Sequence, residues 1–299
     1  MKGIKTEGIN QHKDMTIQDK WVDLHIHTCY SDGMLTPKEA VTYAKEVGLS
    51  GLGIVDHDCM DGIPEGESVG REIGIDVVRG LELSSEYQNK DIHIIGYYFD
   101  MNNPRLNKYL LLFQNERFKR AVKMVKNLQR TGIQITMDEV EEKAKGKSIG
   151  RPHLAEILME KGYVETFQEA FHKYIGYGSK AYVKKYTIDP VEAVHLIHDA
   201  KGLAVLAHPG SAVNNELIMK LIKAGLDGIE VVHPNLNDRR TTELQSIANE
   251  YHLLISGGSD CHGGRNGSTT IGNYRVPYTI VEDMKQVLVE RYGNLSHLN

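Results

Sequence analysis

At positions 23–28 the chain reads DLHIHT, which ends an apolar run that begins at Trp21. Side chains alternate between the two faces of a β-strand, so this pattern directs His25 and His27 to the same face. Two imidazoles at the carboxyl end of a strand form a pair of candidate metal ligands, and Asp32 follows in the next loop within reach of them. A lone His-x-His sequence also fits an ordinary pair of surface histidines, so the interpretation depends on the rest of the chain.

Five further short motifs place a histidine or a carboxylate in or directly after an apolar run. They read VDHD around His57, GLEL around Glu82, IHIIGY from Ile92, AHPG around His208 and SDCHG from Ser259. A carboxylate beside His57 can orient its ring, and an isolated Glu82 inside an apolar strand would be costly to bury without a cation. Because nearly all of these motifs follow strands, whose carboxyl ends meet at one edge of a parallel sheet, they predict one shared metal centre.

The predicted ligands are imidazoles and carboxylates: His25, His27, Asp32, His57, Glu82, His93, His208, Asp260 and His262. These donors suit Mn²⁺, Fe²⁺ or Zn²⁺ better than Ca²⁺. The set exceeds the capacity of one ion, so we expect two to three divalent ions with Glu82 as a bridge. Such a cluster acts on phosphate esters through a bridging hydroxide and stabilises the attacking and leaving oxygens. The nearby cysteines are expected to be small buried side chains rather than ligands, namely Cys29, Cys59 and Cys261.

Strand-like apolar runs alternate with helical patterns through most of the chain. The runs span residues 21–27, 51–55, 76–83, 91–98, 203–207, 228–232 and 253–256, and the helical patterns span 36–47, 190–200, 215–224 and 239–251. This alternation predicts an α/β fold with a mostly parallel sheet, either open or closed as a barrel.

The middle of the chain interrupts this alternation. Residues 104–180 carry only helical patterns, at 105–130, 138–145, 152–161 and 166–174. We interpret them as a helical insertion, or cap, between a first part of the α/β domain at 21–103 and a second part at 181–299, which ends in a C-terminal helix.

Composition and charge restrict the class of protein. The chain has 299 residues, of which 40% are hydrophobic, and can bury a full core without disulfides. A net charge of −5 argues against a general binder of polyanions, and we expect no stable binding of duplex nucleic acid. Three cysteines without a disulfide framework favour a cytoplasmic protein. Residues 1–20 predict a polar N-terminal extension without a signal peptide, and no later stretch is long enough to cross a membrane.

The combined motifs resemble the polymerase and histidinol phosphatase family, the PHP phosphoesterases, through HIH, Asp32, DHD, GLE, IHIIGY, AHPG and SDCHG. The resemblance runs from Trp21 to about Val276. It is strongest to a branch that contains nucleoside 5′-monophosphate and 3′,5′-bisphosphate phosphatases and a 5′→3′ exoribonuclease. It implies a distorted (β/α)₇ barrel with a helical insertion and a trinuclear site. It implies that one metal ion binds His25, His27, Glu82 and Asp260. A second ion binds Glu82, His93 and His208, and a third binds Asp32, His57 and His262.

Substrate contacts are predicted at Arg151, His153 and His233. The GRPH sequence that contains Arg151 resembles a segment that, in this branch, faces the site and contacts substrate phosphate. Arg151 offers a planar fork for phosphate oxygens, and Pro152 would begin a helix whose N-terminus favours an anion. The alternative is an ordinary, solvated helix start. His233 follows a predicted strand, and a contact with the substrate or leaving group is an open alternative there.

The predicted function is hydrolysis of a phosphate monoester on a 5′-mononucleotide, a 3′,5′-bisphosphate or the 5′ end of a short oligonucleotide. A second interpretation is a phosphatase or cyclic phosphodiesterase that acts on a non-nucleotide metabolite, such as a sugar or amino-alcohol phosphate. A third is a non-catalytic metal-binding domain, but the complete ligand set argues against it.

Overall fold

An eight-stranded sheet forms the centre of the protein in the computed structural model, which describes residues 20–144, 148–210, 213–264 and 269–295. Apart from Lys20, the predicted N-terminal extension lies outside the described residues. In chain order the strands are β1 (Trp21–Ile26), β2 (Gly51–Ile54), β3 (Asp76–Tyr87), β4 (Lys90–Tyr97), β5 (Leu203–Leu206), β6 (Gly228–Val232), β7 (Leu254–Gly257) and β8 (Val276–Pro277). Their order across the sheet is β7-β6-β5-β4-β3-β2-β1-β8.

The sheet nearly closes on itself between β1 and the residues that follow β7. Ile26 and Cys261 form a parallel bridge, and the His27 N–H donates to the Cys261 carbonyl at 2.9 Å. β1, β2 and β3 run parallel, as do β5, β6 and β7. The predicted α/β barrel is therefore confirmed, and its closure gathers the carboxyl ends of the parallel strands around one opening.

β4 departs from the predicted parallel arrangement, because it is antiparallel to both β3 and β5. A two-residue turn joins β3 directly to β4, and its residues Gln88 and Asn89 have positive φ angles of 51° and 62°. Positive φ at both turn residues gives the twist that a tight hairpin needs. The predicted strand ended at Leu83, but the hairpin extends β3 to Tyr87, so Glu82 lies inside the strand rather than at its end.

The α-helices mostly begin and end close to the predicted positions. In chain order they are α1 (Pro37–Glu46), α2 (Ile63–Ile73), α3 (Pro104–Arg130), α4 (Met137–Ala144), α5 (Arg151–Glu160), α6 (Phe167–Ala170), α7 (Pro190–Asp199), α8 (Asn215–Lys223), α9 (Asp238–Glu250) and α10 (Thr279–Tyr292). The sequence does not predict α2, because glycines interrupt its pattern. A Cβ at Gly66 would come within 2.3 Å of Ile54 Cδ1, so glycine allows α2 to pack closely on β2. No helix in the described ranges is long and apolar enough to cross a membrane.

The helices from α3 to α6 lie between β4 and β5 and surround a hydrophobic cluster of their own. The long helix α3 connects the two cores, because Phe113 packs into the barrel core whereas Met124 and Leu128 pack with α4 and α5. The last predicted helix of this region is divided into α6 and a π-helical turn at Phe171–Ile175. The predicted limits of the insertion stay a prediction.

Candidate metal centre

The Glu82 carboxylate lies at the centre of a cluster of histidine rings and is fully buried. Five ring nitrogens approach it: His57 Nδ1, His93 Nδ1 and His208 Nε2 at 2.9 Å, His27 Nε2 at 3.3 Å and His25 Nε2 at 3.7 Å. The rings come from β1 and the residue that follows it, from β4, and from the residues that follow β2 and β5. Closure of the barrel, rather than closeness along the chain, therefore assembles the cluster.

Two further carboxylates flank the histidines of β1. Asp260 Oδ1 lies 3.4 Å from His25 Nε2 and 3.2 Å from His27 Nε2. Asp32 Oδ1 lies 3.2 Å from His262 Nε2 and 3.9 Å from His27 Nδ1. The structure thus brings all the predicted ligands into one connected cluster, and their role as ligands stays a prediction.

Four overlapping sets of donor atoms in this cluster could each hold a metal ion, since the atoms of a set lie within 4.8 Å of one another. The sets are His27, Asp32, His57 and His262; His25, His233 and Asp260; His25, His27 and Glu82; and His57, Glu82 and His93. His93 thus shares a donor set with His57, whereas the resemblance implies that it shares a metal ion with His208. His93 Nδ1 also lies 3.2 Å from His208 Nε2. Overlapping sets of this kind suit more than one ion.

Unsatisfied polar atoms inside the cluster show whether metal ions fit. In the part of the chain that the structure describes, His27 Nδ1, His57 Nδ1 and Glu82 Oε2 are buried without a hydrogen-bond partner. His57 Nδ1 and Glu82 Oε2 even lie 2.9 Å apart without forming a hydrogen bond. An unpaired buried polar atom costs about 1–3 kcal/mol. Divalent cations among these atoms would remove that penalty, so the donors fit metal ions.

The protonation states of several cluster residues also suit cations. Burial opposes ionisation of the three carboxylates, but the neighbouring histidines hold their pKa values well below the usual range. Burial, together with the His262 ring, lowers the pKa of His27 to about 4, and burial lowers the pKa of His93 to about 4. For His262, burial is outweighed by the Asp32 charge, which raises the pKa to about 10. A cation that binds His262 must therefore displace a proton.

Glu230 in β6 orients the His25 ring, although it belongs to none of the predicted ligand motifs. Its buried carboxylate has Oε1 2.9 Å from His25 Nδ1, and Oε2 accepts from the His208 backbone N–H at 2.6 Å. Because a carboxylate accepts, His25 Nδ1 carries the proton and Nε2 is left to bind a cation. The one sequence signal was an acid inside the apolar run GIEVV.

His233 is buried behind Asp260. Its Nδ1 accepts from the Asn235 N–H at 3.0 Å, so the ring proton lies on Nε2, which is 3.2 Å from Asp260 Oδ2. The ring therefore donates to Asp260, whose other oxygen then faces the histidines of β1. In this position His233 orients a candidate ligand, and its predicted contact with substrate stays a prediction.

Buried aspartates next to the ligands hold the loops that carry them. Asp56 accepts from the Thr28 N–H at 2.7 Å and fixes the loop that contains Asp32. Asp23 accepts from the Ser259 N–H at 2.9 Å and fixes the residues that follow β7. Burial raises the pKa of Asp23 to about 6. Asp23 and Asp56, which lie in the ligand motifs but do not face the cluster, thus have a structural role.

The insertion reaches the edge of the cluster at the start of α5. A Cβ on Gly150 would lie 3.9 Å from Asp32 Cβ, and Arg151 is the first residue of the helix. His153 Nδ1 accepts from the Gly150 N–H at 3.0 Å and so caps α5. The GRPH segment therefore begins beside the cluster, while substrate contacts of Arg151 and His153 stay predictions.

Two cations that approach the cluster were not selected from the sequence. Arg117 on α3 donates to the buried Asp58 at 2.6 Å. Lys185 Nζ lies 3.3 Å from His93 Nε2 and 3.3 Å from Asp91 Oδ1. Neither belongs to a recognisable motif, because each reaches the cluster from an element that is distant along the chain.

Comparisons with known proteins give similarities along most of the chain. The sequence pattern of the PHP domain family matches residues 23–206. A 5′-3′ exoribonuclease of Haemophilus influenzae is 36% identical over 248 residues, which cover 81% of this chain and 90% of that protein. A 3′,5′-nucleoside bisphosphate phosphatase of Chromobacterium violaceum is 32% identical over 84% of this chain and 90% of its own length.

The fold has solved counterparts as well. A candidate metal-dependent phosphoesterase from Bifidobacterium adolescentis matches with a TM-score of 0.83 at 30% sequence identity, over 88% of this chain and 94% of that chain. The likeness therefore extends over most of the fold and is not confined to the short motifs.

Proposed function

The chain belongs to the PHP domain family and is a metal-dependent phosphoesterase, and on that basis we propose that it hydrolyses a phosphate monoester of a nucleotide or of the 5′ end of a short oligonucleotide. The proposed substrates are 5′-mononucleotides, 3′,5′-bisphosphates and 5′-phosphorylated oligonucleotides. Two relatives support this choice, since one is named as an exoribonuclease and the other as a nucleoside bisphosphate phosphatase.

A concentration of positive charge beside the cluster carries the proposal. The guanidinium groups of Arg120 and Arg151 lie 6.0 Å and 5.9 Å from the centre of the Tyr182 ring, and burial together with the charges of Arg151 and Arg117 lowers the pKa of Arg120 to about 10. Lys185 lies beside His93, and the charges of Lys185 and Arg151 both lower the pKa of Asp91. One guanidinium group can donate two parallel hydrogen bonds to the oxygens of a phosphate. This excess of cations therefore favours the binding of a phosphate group at the edge of the cluster.

We propose that two to three divalent ions, Mn²⁺, Fe²⁺ or Zn²⁺, are held by the cluster. Bound ions of this kind polarise phosphoryl oxygens and lower the pKa of water. The chain supplies fixed donors for them, since Glu230 holds His25 and the Asp260 carbonyl, 2.9 Å from His262 Nδ1, holds His262. The side chains of the cluster are then occupied as ligands, so water rather than a side chain attacks phosphorus. Arg151 binds and orients the phosphate.

A panel of phosphorylated substrates tests the proposal. Protein purified without chelator is assayed with Mn²⁺ on a 5′-mononucleotide, a nucleoside 3′,5′-bisphosphate, 5′-phosphorylated oligonucleotides, a sugar phosphate and a cyclic sugar phosphate. We expect the highest kcat/KM on the nucleotide substrates. The Asp260→Ala variant, purified in the same way, is the control for contaminating phosphatase. If the sugar phosphate or cyclic phosphate is preferred, the non-nucleotide alternative replaces this assignment.

The cysteines support a cytoplasmic location, which is also part of the proposal. All three are free thiols. Burial raises the pKa of Cys59 to about 12, so this thiol is unreactive at neutral pH. Free thiols persist in a reducing compartment.

A further inference from the structure

Residues 171–186 have a composition that differs from the rest of the chain. They read FHKYIGYGSKAYVKKY, in which five of sixteen residues are aromatic, four are lysine and none is acidic. The whole chain is only 7% aromatic and carries a net charge of −5. Interleaved aromatic and basic residues are typical of surfaces that bind single-stranded nucleic acid, because bases stack on rings while cations contact the backbone. We call residues 171–186 the aromatic strip.

One end of the aromatic strip lies at the metal centre. Lys185 Nζ is 3.3 Å from Nε2 of His93, a candidate ligand. Tyr182 precedes Lys185 by three residues in the strip, and its ring centre is 5.9 Å from the Arg151 guanidinium and 6.0 Å from that of Arg120. The strip therefore continues directly from the cations that we assign to the substrate phosphate.

The middle of the strip presents an aromatic ring to solvent. Tyr177 is 88% exposed, although its ring centre is only 5.4 Å from that of Tyr182. Glycines on both sides shape this turn: a Cβ on Gly176 would come within 2.3 Å of the Phe171 carbonyl oxygen, and Gly178 has a φ angle of +77°. The turn thus holds the uncovered Tyr177 ring next to the partly covered Tyr182 ring, with their planes inclined at 62°.

The charges along the strip agree with a polyanionic ligand. Lys184 pairs with Glu86 at 2.7 Å and Lys173 pairs with Glu169, so these two lysines are partly neutralised. Lys180 is exposed and lies three residues after Tyr177, and the half-buried Arg120 lies beside Tyr182. Cations therefore lie beside the Tyr182 ring and follow Tyr177 closely along the chain, where they can contact the phosphates of a bound strand.

We propose that the aromatic strip binds the nucleotides that follow the 5′ phosphate of a single-stranded oligonucleotide, with bases stacked on Tyr182 and Tyr177. The inference rests on the proposed function, and it names single-stranded oligonucleotides, rather than mononucleotides, as the substrates that use the whole surface. Stacking on a ring does not depend on base identity, so the strip selects for length and single-strandedness rather than for sequence. A duplex keeps its bases stacked on each other and should bind weakly.

The experiment compares Tyr177→Ala with the wild type on two substrates, a 5′-mononucleotide and a 5′-phosphorylated single-stranded oligonucleotide. We expect an unchanged kcat/KM on the mononucleotide and a loss of roughly tenfold on the oligonucleotide, from the effect of removing one stacking ring. Tyr177→Phe keeps the ring and should keep the wild-type values. Tyr251→Ala removes a tyrosine that is 36% exposed after α9, away from the strip, and is the matched control.

Direct binding provides a second measurement that does not depend on turnover. Fluorescence anisotropy of a 3′-labelled single strand in EDTA should show weaker binding to Tyr177→Ala than to wild type, and the corresponding duplex should compete poorly. Equal binding by wild type and Tyr177→Ala, or equal kinetic losses on both substrates, would overturn the inference even if the enzyme hydrolyses nucleotides. If the protein hydrolyses none of the nucleotide substrates but Tyr177→Ala still weakens binding of the single strand, the proposed function is overturned and the inferred binding surface is supported.

Discussion

The barrel and the helical insertion face the same opening with different chemistry. The barrel presents three carboxylates and a group of imidazoles, which its closed sheet and buried acids hold in position. The insertion and the aromatic strip present Arg117, Arg151 and Lys185 together with exposed rings. Activation of the phosphate and recognition of the rest of the substrate are therefore expected to reside on separate parts of the chain, and substitutions should affect them separately.

Loss of a barrel carboxylate should have the largest effect. Asp260 lies within 3.4 Å of ring nitrogens of both His25 and His27 and accepts from His233. We expect Asp260→Ala to lower kcat on every substrate by on the order of a thousandfold, because metal ions contribute several kcal/mol to phosphoryl transfer. Elemental analysis should show a loss of bound metal in the same variant, with the domain still largely folded but its melting temperature lowered, because the buried donors lose their cations. Full metal content and activity would remove Asp260 from the centre.

Loss of Arg151 should have a smaller effect that depends on the substrate. Its guanidinium forms charge-assisted hydrogen bonds to phosphate in the proposed complex, and such bonds contribute roughly 1.5–3 kcal/mol. Arg151→Ala should therefore lower kcat/KM on nucleotides by about tenfold to somewhat over a hundredfold. Metal content should not change, in contrast to Asp260→Ala. Arg151→Lys should recover only part of the activity, since lysine lacks the planar fork. An unchanged kcat/KM in Arg151→Ala would mean that the insertion does not bind the phosphate.

Loss of the Glu230 carboxylate, which orients His25, should lower metal affinity or activity by about ten- to a hundredfold, as is usual for residues that orient ligands. Glu230→Gln keeps the shape of the side chain but cannot accept from both His25 Nδ1 and the His208 N–H with the same strength. Titration with Mn²⁺ should show a higher metal concentration for half-maximal activity. Glu290→Gln, an exposed substitution on α10, is the control and should match the wild type. Equal titration curves for both variants would refute the orienting role.

The elements of the barrel could be predicted where their strand and helix patterns are regular. They could not be predicted where contacts between elements distant along the chain determine the local structure. The hairpin between β3 and β4 depends on Gln88 and Asn89, which lack the Asn-Gly signal of a tight turn. α2 contains glycines that a helix pattern excludes but that close packing requires. Most of the nine candidate ligands were visible because they lie in or next to apolar runs, and Asp32 because it follows the His25–His27 pair in the next loop. Glu230 and Lys185 were not, because their partners lie on elements far away along the chain.

The smallest effect is expected at Cys261, which stands between Asp260 and His262. Its thiol is buried and turned away from the cluster, with Sγ 3.3 Å from Thr269 Oγ1, and it occurs in none of the donor sets formed by the described residues. Cys261→Ala should keep metal content and kcat within about twofold of wild type and lower stability by about 1 kcal/mol, through lost packing and the lost Sγ contacts with Thr269 Oγ1 and the Gly263 N–H. Elemental analysis and a thermal melt measure the two quantities, with Cys59→Ala as a second buried thiol for comparison. Loss of metal from Cys261→Ala, but not from Cys59→Ala, would mean that a thiolate binds metal in the centre. The barrel would then not hold its ions through nitrogen and oxygen donors alone.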